Sequence, residues 1–436
     1  MTDQRSGSEP ASASGDDPEE GYGTGGLRSL ADRLSWAVVA EITNLGAVAV
    51  VFYILARQLT TGDYGQFTSL VSIAAIIGPL STFGANLLLI RRGVMETDIR
   101  AETGRAVNTA AIGTSGAVAA FLILALLIPG LLGEISRTTM ALVLVGQVVA
   151  FWMLELGVTS AVAMAELRLA AMARTAAGVI RILAVVGFLV GPGAGVDTWA
   201  WYFLGGQVVA AVAVHLIVAR AFGGFPLLSR TPLSEYRHGF PYGLGNTTEG
   251  FLAASDRPLL TQFGFSGQDG IYGAGYRVVS LGFTPLIALL KAQDRRFFRH
   301  AADGAAAAHQ AGRKMVVHGL AATVPVSIAL FLTAPLLSVI LGDRWAEAET
   351  VIRALALLPF IKGIQFSFGN ALTAADNQQT RMWLTGAAAI GNFVGNLIAI
   401  PIWGWPAAAV TTLVAEAALA VGFWLASSTY AGRDRG

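Results

Sequence analysis

No cysteine occurs in the 436 residues, and that absence removes disulfides, thiolate metal sites and thiol catalysis together. It assigns no compartment. Charge is scarce as well: Asp, Glu, Lys and Arg make up 13% of the chain, against roughly 25% in an ordinary soluble protein. So few charges cannot keep the surface of a chain this long in water, and much of that surface is expected to face lipid. The net charge of +1 leaves no broad field of either sign, which argues against a nucleic-acid partner. Lysine is confined to Lys291, Lys314 and Lys362, every other basic residue being arginine. There is no G-x-x-x-x-G-K-[ST] phosphate loop and no metal-ligand cluster or catalytic triad, so neither an ATP-driven pump nor an enzyme is expected. No cofactor or metal is implied.

What the chain has instead is apolar length. Hydrophobic residues make up 54% of it, and the mean hydropathy is +0.60. A membrane-spanning helix needs about 20 mostly apolar residues. That window finds twelve stretches, near 36–56, 66–90, 106–128, 139–165, 172–191, 199–219, 240–263, 271–290, 315–341, 350–372, 382–402 and 406–428. The expected fold class is all-α and integral to the membrane. Ahead of these stretches, Met1 to Gly26 is rich in Ser, Gly, Asp and Glu and reads as a disordered tail rather than a signal peptide, because its first residues are acidic.

The arginines test the topology. With the N-terminus in the cytoplasm, the inside segments collect Arg91, Arg92, Arg100, Arg105, Arg168, Arg174, Arg220, Arg230, Arg237, Arg295, Arg296, Arg299, Arg313 and Arg381, with Lys291 and Lys314. The outside loops hold only Arg57, Arg137 and Arg344. Basic residues mark the cytoplasmic side, so both termini are expected there, in a prokaryotic plasma membrane. The organisation that follows is a cytoplasmic tail (1–34), an N-lobe of six helices (35–220), a cytoplasmic linker (221–239), a C-lobe of six helices (240–430) and a short cytoplasmic tail (431–436).

The two lobes read as a repeat. Asp63-Tyr64-Gly65 precedes a helix with Pro79-Leu80, and half a chain later Asp269-Gly-Ile-Tyr272-Gly273 precedes a helix with Pro285-Leu286. Gly195-Val-Asp-Thr-Trp199 and Gly404-Trp405 open the sixth and twelfth stretches at a similar offset. The halves begin on the same side, which makes them parallel repeats, and such repeats enclose a path between them.

These motifs carry a resemblance over nearly the whole chain after residue 34. Leu55-Ala-Arg-Gln-Leu-Thr-Thr-Gly-Asp-Tyr-Gly-Gln-Phe67, Phe83-Gly-Ala-Asn86, Asp256-Arg257, Gly270-Ile-Tyr-Gly-Ala-Gly-Tyr276, Leu341-Gly-Asp-Arg-Trp-Ala-Glu-Ala348, Asn392-Phe-Val-Gly-Asn396 and Ile400-Pro-Ile-Trp-Gly-Trp405 occur in an order and spacing that resembles the polysaccharide-flippase branch of the multidrug/oligosaccharidyl-lipid/polysaccharide exporter (MOP) superfamily. No single motif is diagnostic. The resemblance implies two six-helix lobes, alternating access, and a polyprenyl-phosphate-linked glycan as cargo. The acidic tail before residue 27 departs from the family pattern.

Ionisable residues inside spans are costly and are functional candidates by default. The cations are Arg181, Arg257, Arg277, Arg353 and Lys362; the acids are Glu41, Glu155, Glu249, Asp256 and Glu416. Their near balance is also what structural pairing would give. Arginine suits phosphate because its planar fork bonds two oxygens and stays protonated. Arg257, with Arg181 and either Arg353 or Lys362, is therefore the expected phosphate cradle. Arg277 is a further candidate, although a simple hairpin puts it at the depth of Asp256, where the two could pair. Asp256, Glu249, Glu41 and Glu155 are candidates for a coupling proton or sodium ion, Glu249 and Asp256 lying seven residues apart on one helix face. Pro285, Pro359 and Gly363 are hinge candidates. The 291–314 segment, with Phe297 and Phe298 among Arg295, Arg296 and Arg299, reads as a basic amphipathic element on the inner leaflet, where membrane lipids are its partners.

Two competing readings remain. A cation-coupled drug exporter needs an anionic or aromatic cavity, against which five intramembrane cations argue. A membrane glycan polymerase or ligase needs room outside the membrane, and the outer loops are too short for it. A monomer is expected, since two lobes suffice to enclose a path.

Overall fold

The computed structural model describes residues 43–93, 99–128, 132–133, 135–225, 231–287, 289–290 and 304–433, with the isolated residues 36 and 297. Among these the only regular structure is helix. The N-terminal tail, Glu41, and Arg295, Arg296, Phe298 and Arg299 of the basic segment lie outside the described residues.

Each of the twelve expected spans coincides with one helix or a broken pair. Helix α1 covers residues 43–58; α2 is Thr61–Ser81, continued after a turn by Ala85–Gly93; α3 is Ile99–Leu127. Then come α4, Arg137–Ala163, α5, Leu167–Val190, and α6, Gly195–Ala221. In the second half, α7 is Leu233–Ala254 followed by Asp256–Gln262, and α8 is Ser266–Leu281. Helix α9 is Ala305–Thr333, and α10 is Ala346–Leu355 followed by Leu358–Ala374. Helices α11, Gln378–Trp403, and α12, Trp405–Arg433, close the chain. Seven of them (α3 to α6, α9, α11 and α12) are each long and apolar enough to cross a membrane, and the bent pair in α10 makes an eighth. Of the remaining four, α1 and α8 are too short as described, whereas α2 and α7, at 21 and 22 residues, are long enough but less apolar.

The burial pattern is that of a membrane protein. Outward-facing positions are large and apolar, such as Val190, Ile398 and Val414, all more than half exposed. Small and polar residues turn inward instead: Gln207, Thr323, Asn392 and Asn396 are buried. With lipid outside there is no hydrophobic gain in burying a leucine, so helices close on small residues and cross-helix hydrogen bonds. Gly363 illustrates this. A Cβ there would meet the Thr323 hydroxyl at 3.0 Å, and Gly319 faces it across the α9–α10 contact. Gly363 lies inside an unbroken helix at this close contact, whereas the other two hinge candidates, Pro285 and Pro359, stand at helix breaks.

Helix breaks follow the prolines. Proline has no N–H to offer the carbonyl four residues back and clashes with it. Pro258, Pro285 and Pro359 lie four residues after Ala254, Leu281 and Leu355, and at each of those residues a helix stops. The last break bends α10 by 40°. Pro79, Pro241, Pro325 and Pro401 lie within continuous helices. Helix α7 starts at Leu233, inside the expected linker, and α9 starts at Ala305, well before the apolar window.

The two halves meet along α2, which packs against α7 and α8. The repeated turns cross backbone to backbone: a Cβ on Gly65 would overlap the Ser266 carbonyl oxygen, and one on Gly270 would overlap that of Thr61. Tyr64 and Tyr272, the matched tyrosines, are both fully buried there. Around this crossing, Trp345 Nε1 donates to the Ala56 carbonyl at 3.0 Å, Arg57 Nη2 to that of Ile340 at 2.6 Å, and Arg344 Nη1 to that of Leu59 at 3.3 Å. This end of the molecule is shut.

Candidate functional site: a cationic cavity shared by the two halves

A cavity of about 210 Å³ opens below that seal, within the first half. Its wall takes Val51 from α1, Phe67 from α2, Gln147 and Phe151 from α4, Arg181 from α5, and Trp199, Phe203 and Gln207 from α6. One residue of the second half joins them: Arg277, from α8. Among the described residues the wall holds two guanidinium groups and no carboxylate.

Local structure explains how these side chains arrive. Thr60 caps α2, its hydroxyl accepting from the Asp63 N–H at 3.0 Å, with the Asp63 carboxylate in the first turn where a helix favours negative charge. Residues Val145–Ala150 form a π-helical stretch inside α4. Such a wide turn rotates the following residues relative to an α-helical register and recurs at functional sites; here it carries Gln147. Arg181 Nε donates to Gln207 Oε1 at 3.2 Å, and Gln207 Nε2 donates to Gln147 Oε1 at 3.2 Å. The Arg181 guanidinium also stands 5.6 Å from the centre of the Phe151 ring, and that of Arg277 6.0 Å from the Phe52 ring. Among the described residues neither arginine is in an ion pair.

The other candidates are placed elsewhere. Arg257 does not line the cavity. Its Nη1 donates to Ser72 Oγ of α2 at 3.1 Å, and its guanidinium lies 4.5 Å from the centre of the Tyr276 ring. It is a contact between the halves, with a buried Nε that has no acceptor. Asp256 is buried and accepts from Tyr272 Oη at 2.6 Å and Thr412 Oγ1 at 3.4 Å. It ties α7, α8 and α12 together and is not paired with Arg277, so the hairpin pairing fails. Lys362 Nζ is 2.6 Å from Glu416 Oε1, whose other oxygen accepts from Gln365 Nε2 at 2.8 Å; this ammonium is already neutralised. Arg353 sits on an exposed stripe of α10 with Glu347 and Thr350, away from the cavity. Glu249 is half exposed and pairs with Arg381 at 3.1 Å, so it does not share the environment of Asp256 as the seven-residue spacing predicts. Glu155 pairs with Arg174 at 3.1 Å. Asn392 Nδ2 reaches the Leu252 carbonyl at 3.1 Å and Thr411 bonds Asn396, hydrogen bonds that cross between helices.

Sequence reasoning thus finds Arg181 and Arg277 but ranks Arg257 above Arg277, and it misses Gln147, Gln207 and Trp199. A wider rule, that any amide inside a span is a candidate, finds both glutamines.

No protein-family model matches the chain, and no curated protein matches it. Solved structures do. A multidrug resistance MATE family transporter of the MOP superfamily in its inward-facing conformation aligns with a TM-score of 0.68 at 12% identity, over 91% of this chain and 98% of that one. The lipid II flippase MurJ in an inward closed conformation gives 0.66 at 12%, over 91% and 87%. A MATE family transporter in the outward-facing conformation gives 0.53 at 13%, over 92% of both. The chain is a multi-pass membrane protein with the fold of the MOP superfamily transporters.

Proposed function

We propose that the protein is a flippase, moving a polyprenyl-(pyro)phosphate-linked oligosaccharide across a prokaryotic cytoplasmic membrane by alternating access, for cell-surface polysaccharide biosynthesis. The observation that carries this reading is the pair Arg181 and Arg277, one from each half, in one cavity that has no carboxylate among its described lining residues. A phosphate about 4 Å from a guanidinium gains roughly 4 kcal/mol at an effective dielectric near 20. Two such contacts favour an anion in the cavity, whereas a cationic drug meets repulsion from both. Anionic cargo is therefore favoured over the cationic cargo of a drug exporter. A lipid II flippase shares the fold, which is compatible with a lipid-linked cargo here. The seal between the halves at the Gly65–Gly270 crossing, together with the arginine asymmetry of the loops, supports an inward-facing state with both termini in the cytoplasm. Of the sequence candidates among the described residues, Glu249 and Glu155 are ion-paired, which leaves Asp256 as the coupling-ion candidate; like Asp269, it is deeply buried and in no ion pair.

The test is flipping of a fluorescent polyprenyl-pyrophosphate oligosaccharide in liposomes that carry the purified protein. Wild type is expected to transport it, and Arg181→Ala and Arg277→Ala are each expected to slow transport at least tenfold, about 1.4 kcal/mol, without loss of folded protein. Full transport by both variants rules out this cavity as the phosphate site. Transport of cationic dyes but no lipid-linked glycan favours the exporter reading instead.

A further inference from the structure

The outer ends of α7 and α8 carry charges that the cavity does not use. Asp269, Tyr272 and Tyr276 are spaced three and four apart and form one stripe of α8. Helix α7 meets that stripe at three points. Thr261 Oγ1 donates to Asp269 Oδ2 at 3.0 Å, and Tyr272 Oη donates to Asp256 Oδ2 at 2.6 Å. The Arg257 guanidinium lies 4.5 Å from the centre of the Tyr276 ring. Two opposite charges thus share the stripe, within each other's field, without touching. Asp269 is 0% exposed, and its Oδ1 has no hydrogen-bond partner. Arg257 Nε is likewise buried without an acceptor. Each Asp256 oxygen already accepts a hydrogen bond, Oδ1 from the Arg257 backbone N–H at 2.9 Å and Oδ2 from Tyr272 and Thr412. Asp269 therefore offers the one carboxylate oxygen here that accepts none. What holds the Arg257 fork instead is Ser72 of α2, on the other half, to which Nη1 donates at 3.1 Å. Tyr64 of α2 adds a third unpartnered buried atom, its Oη, to the same field. Unpaired polar groups are costly where the dielectric is low, so the shut seal withholds a charge pair that the second half could make within itself.

We propose that Arg257 is a partner-exchange switch for the outer end: it bonds Ser72 while the halves are closed there, and it pairs with Asp269 when α2 moves away. Tyr276 guides the exchange. Its side chain leans toward the N-terminus of α8, the direction in which Asp269 lies, and its ring face attracts the cation along the stripe. The guanidinium is a rigid planar fork, so turning it toward Asp269 draws Nη1 from Ser72. Opening removes the contacts across the halves, and the new ion pair offsets part of that loss inside the second half. One side chain with two discrete arrangements gives the rocking of the halves two defined end points. The switch depends on alternating access and not on the identity of the cargo.

The experiment is a distance measurement between nitroxide labels in the full-length protein, reconstituted in lipid nanodiscs without cargo. The labels sit on Thr138→Cys and Asp343→Cys, exposed positions at the outer end of the first and second halves, and the chain has no other cysteine. Ser72→Ala, which removes the acceptor of the shut state, is expected to raise the ratio of long to short distances about tenfold, the scale of one hydrogen bond to a charged group. Adding Asp269→Asn, which keeps the shape and removes the charge, is expected to bring the ratio back to that of the labelled parent. Asp269→Asn alone is expected to hold the short distance and to slow transport several-fold. A Ser72→Ala protein with the parent's distances overturns the exchange, as does a long-distance population that persists after Asp269→Asn. Each variant is read in protein that elutes as a single species, so that misfolding is not mistaken for either result. Because the readout needs no cargo, its failure strikes the switch and leaves the flippase reading standing, whereas failed flipping of lipid-linked glycan with the exchange intact does the reverse.

Discussion

Lys362 and Glu416 show how a charge inside the bundle is read at the scale of one residue. Each looks equally functional in sequence, because an isolated ionisable group in a span is costly. Their 2.6 Å contact answers that cost within the second half. Removing one partner of a buried pair costs about 3–5 kcal/mol, since the other charge is left uncompensated. Glu416→Ala is therefore expected to lower thermal stability in detergent by that order, and Lys362→Ala/Glu416→Ala to recover much of the loss. A Glu416→Ala protein as stable as wild type would show that the pair does not matter. The same scale separates Arg277 from Arg257. Depth along a helix is legible in sequence, and it puts both arginines at one level. Rotation about the helix is less so: Pro258 breaks α7 after Ala254, and with an interrupted helix the angular positions on either side of Ser255 no longer follow from spacing.

At the scale of the element, the hydropathy windows locate every span because a bilayer imposes a length on apolar sequence. They miss where helices begin when the extension carries polar and basic residues, as in the Ala305–Lys314 stretch that starts α9 before its apolar core. They also do not tell a proline that breaks a helix from one that is accommodated. Pro79 and Pro285 hold matched places in the repeat, yet only the helix before Pro285 stops four residues back. Pro359 is the clearest test of a hinge, because its break carries a 40° bend. Pro359→Ala restores an N–H for the Leu355 carbonyl, worth about 1 kcal/mol net. The variant is expected to be as stable as wild type or slightly more so, and to flip lipid-linked glycan several-fold more slowly as α10 straightens. Unchanged transport would make the bend a static feature of the fold.

For the whole molecule, alternating access requires the contact between the halves to open and close. The repeat legible in the two Tyr-Gly turns places its matched helices, α2 and α8, side by side at the shut end, where glycines let the backbones cross. What sequence does not give is that these turns touch one another, since contact between distant segments leaves no periodicity to read. The cysteine-free chain makes the contact testable without a background. A Cβ built on Gly273 lies 3.5 Å from the Thr68 Cβ across the crossing, at the short edge of the range of about 3.5–4.5 Å seen in disulfides. Thr68→Cys/Gly273→Cys is therefore expected to form an intramolecular disulfide under mild oxidation, visible as a reductant-sensitive mobility shift. The oxidised protein is expected to lose nearly all flipping and to regain it on reduction, with each single-cysteine variant active in both conditions. Full transport by the oxidised protein would mean that α2 and α8 stay together throughout the cycle, so that the path opens elsewhere. If no disulfide forms in a folded protein, the two helices do not meet as this structure has them. Loss on oxidation and recovery on reduction would identify the glycine crossing as a gate that opens once per cargo moved.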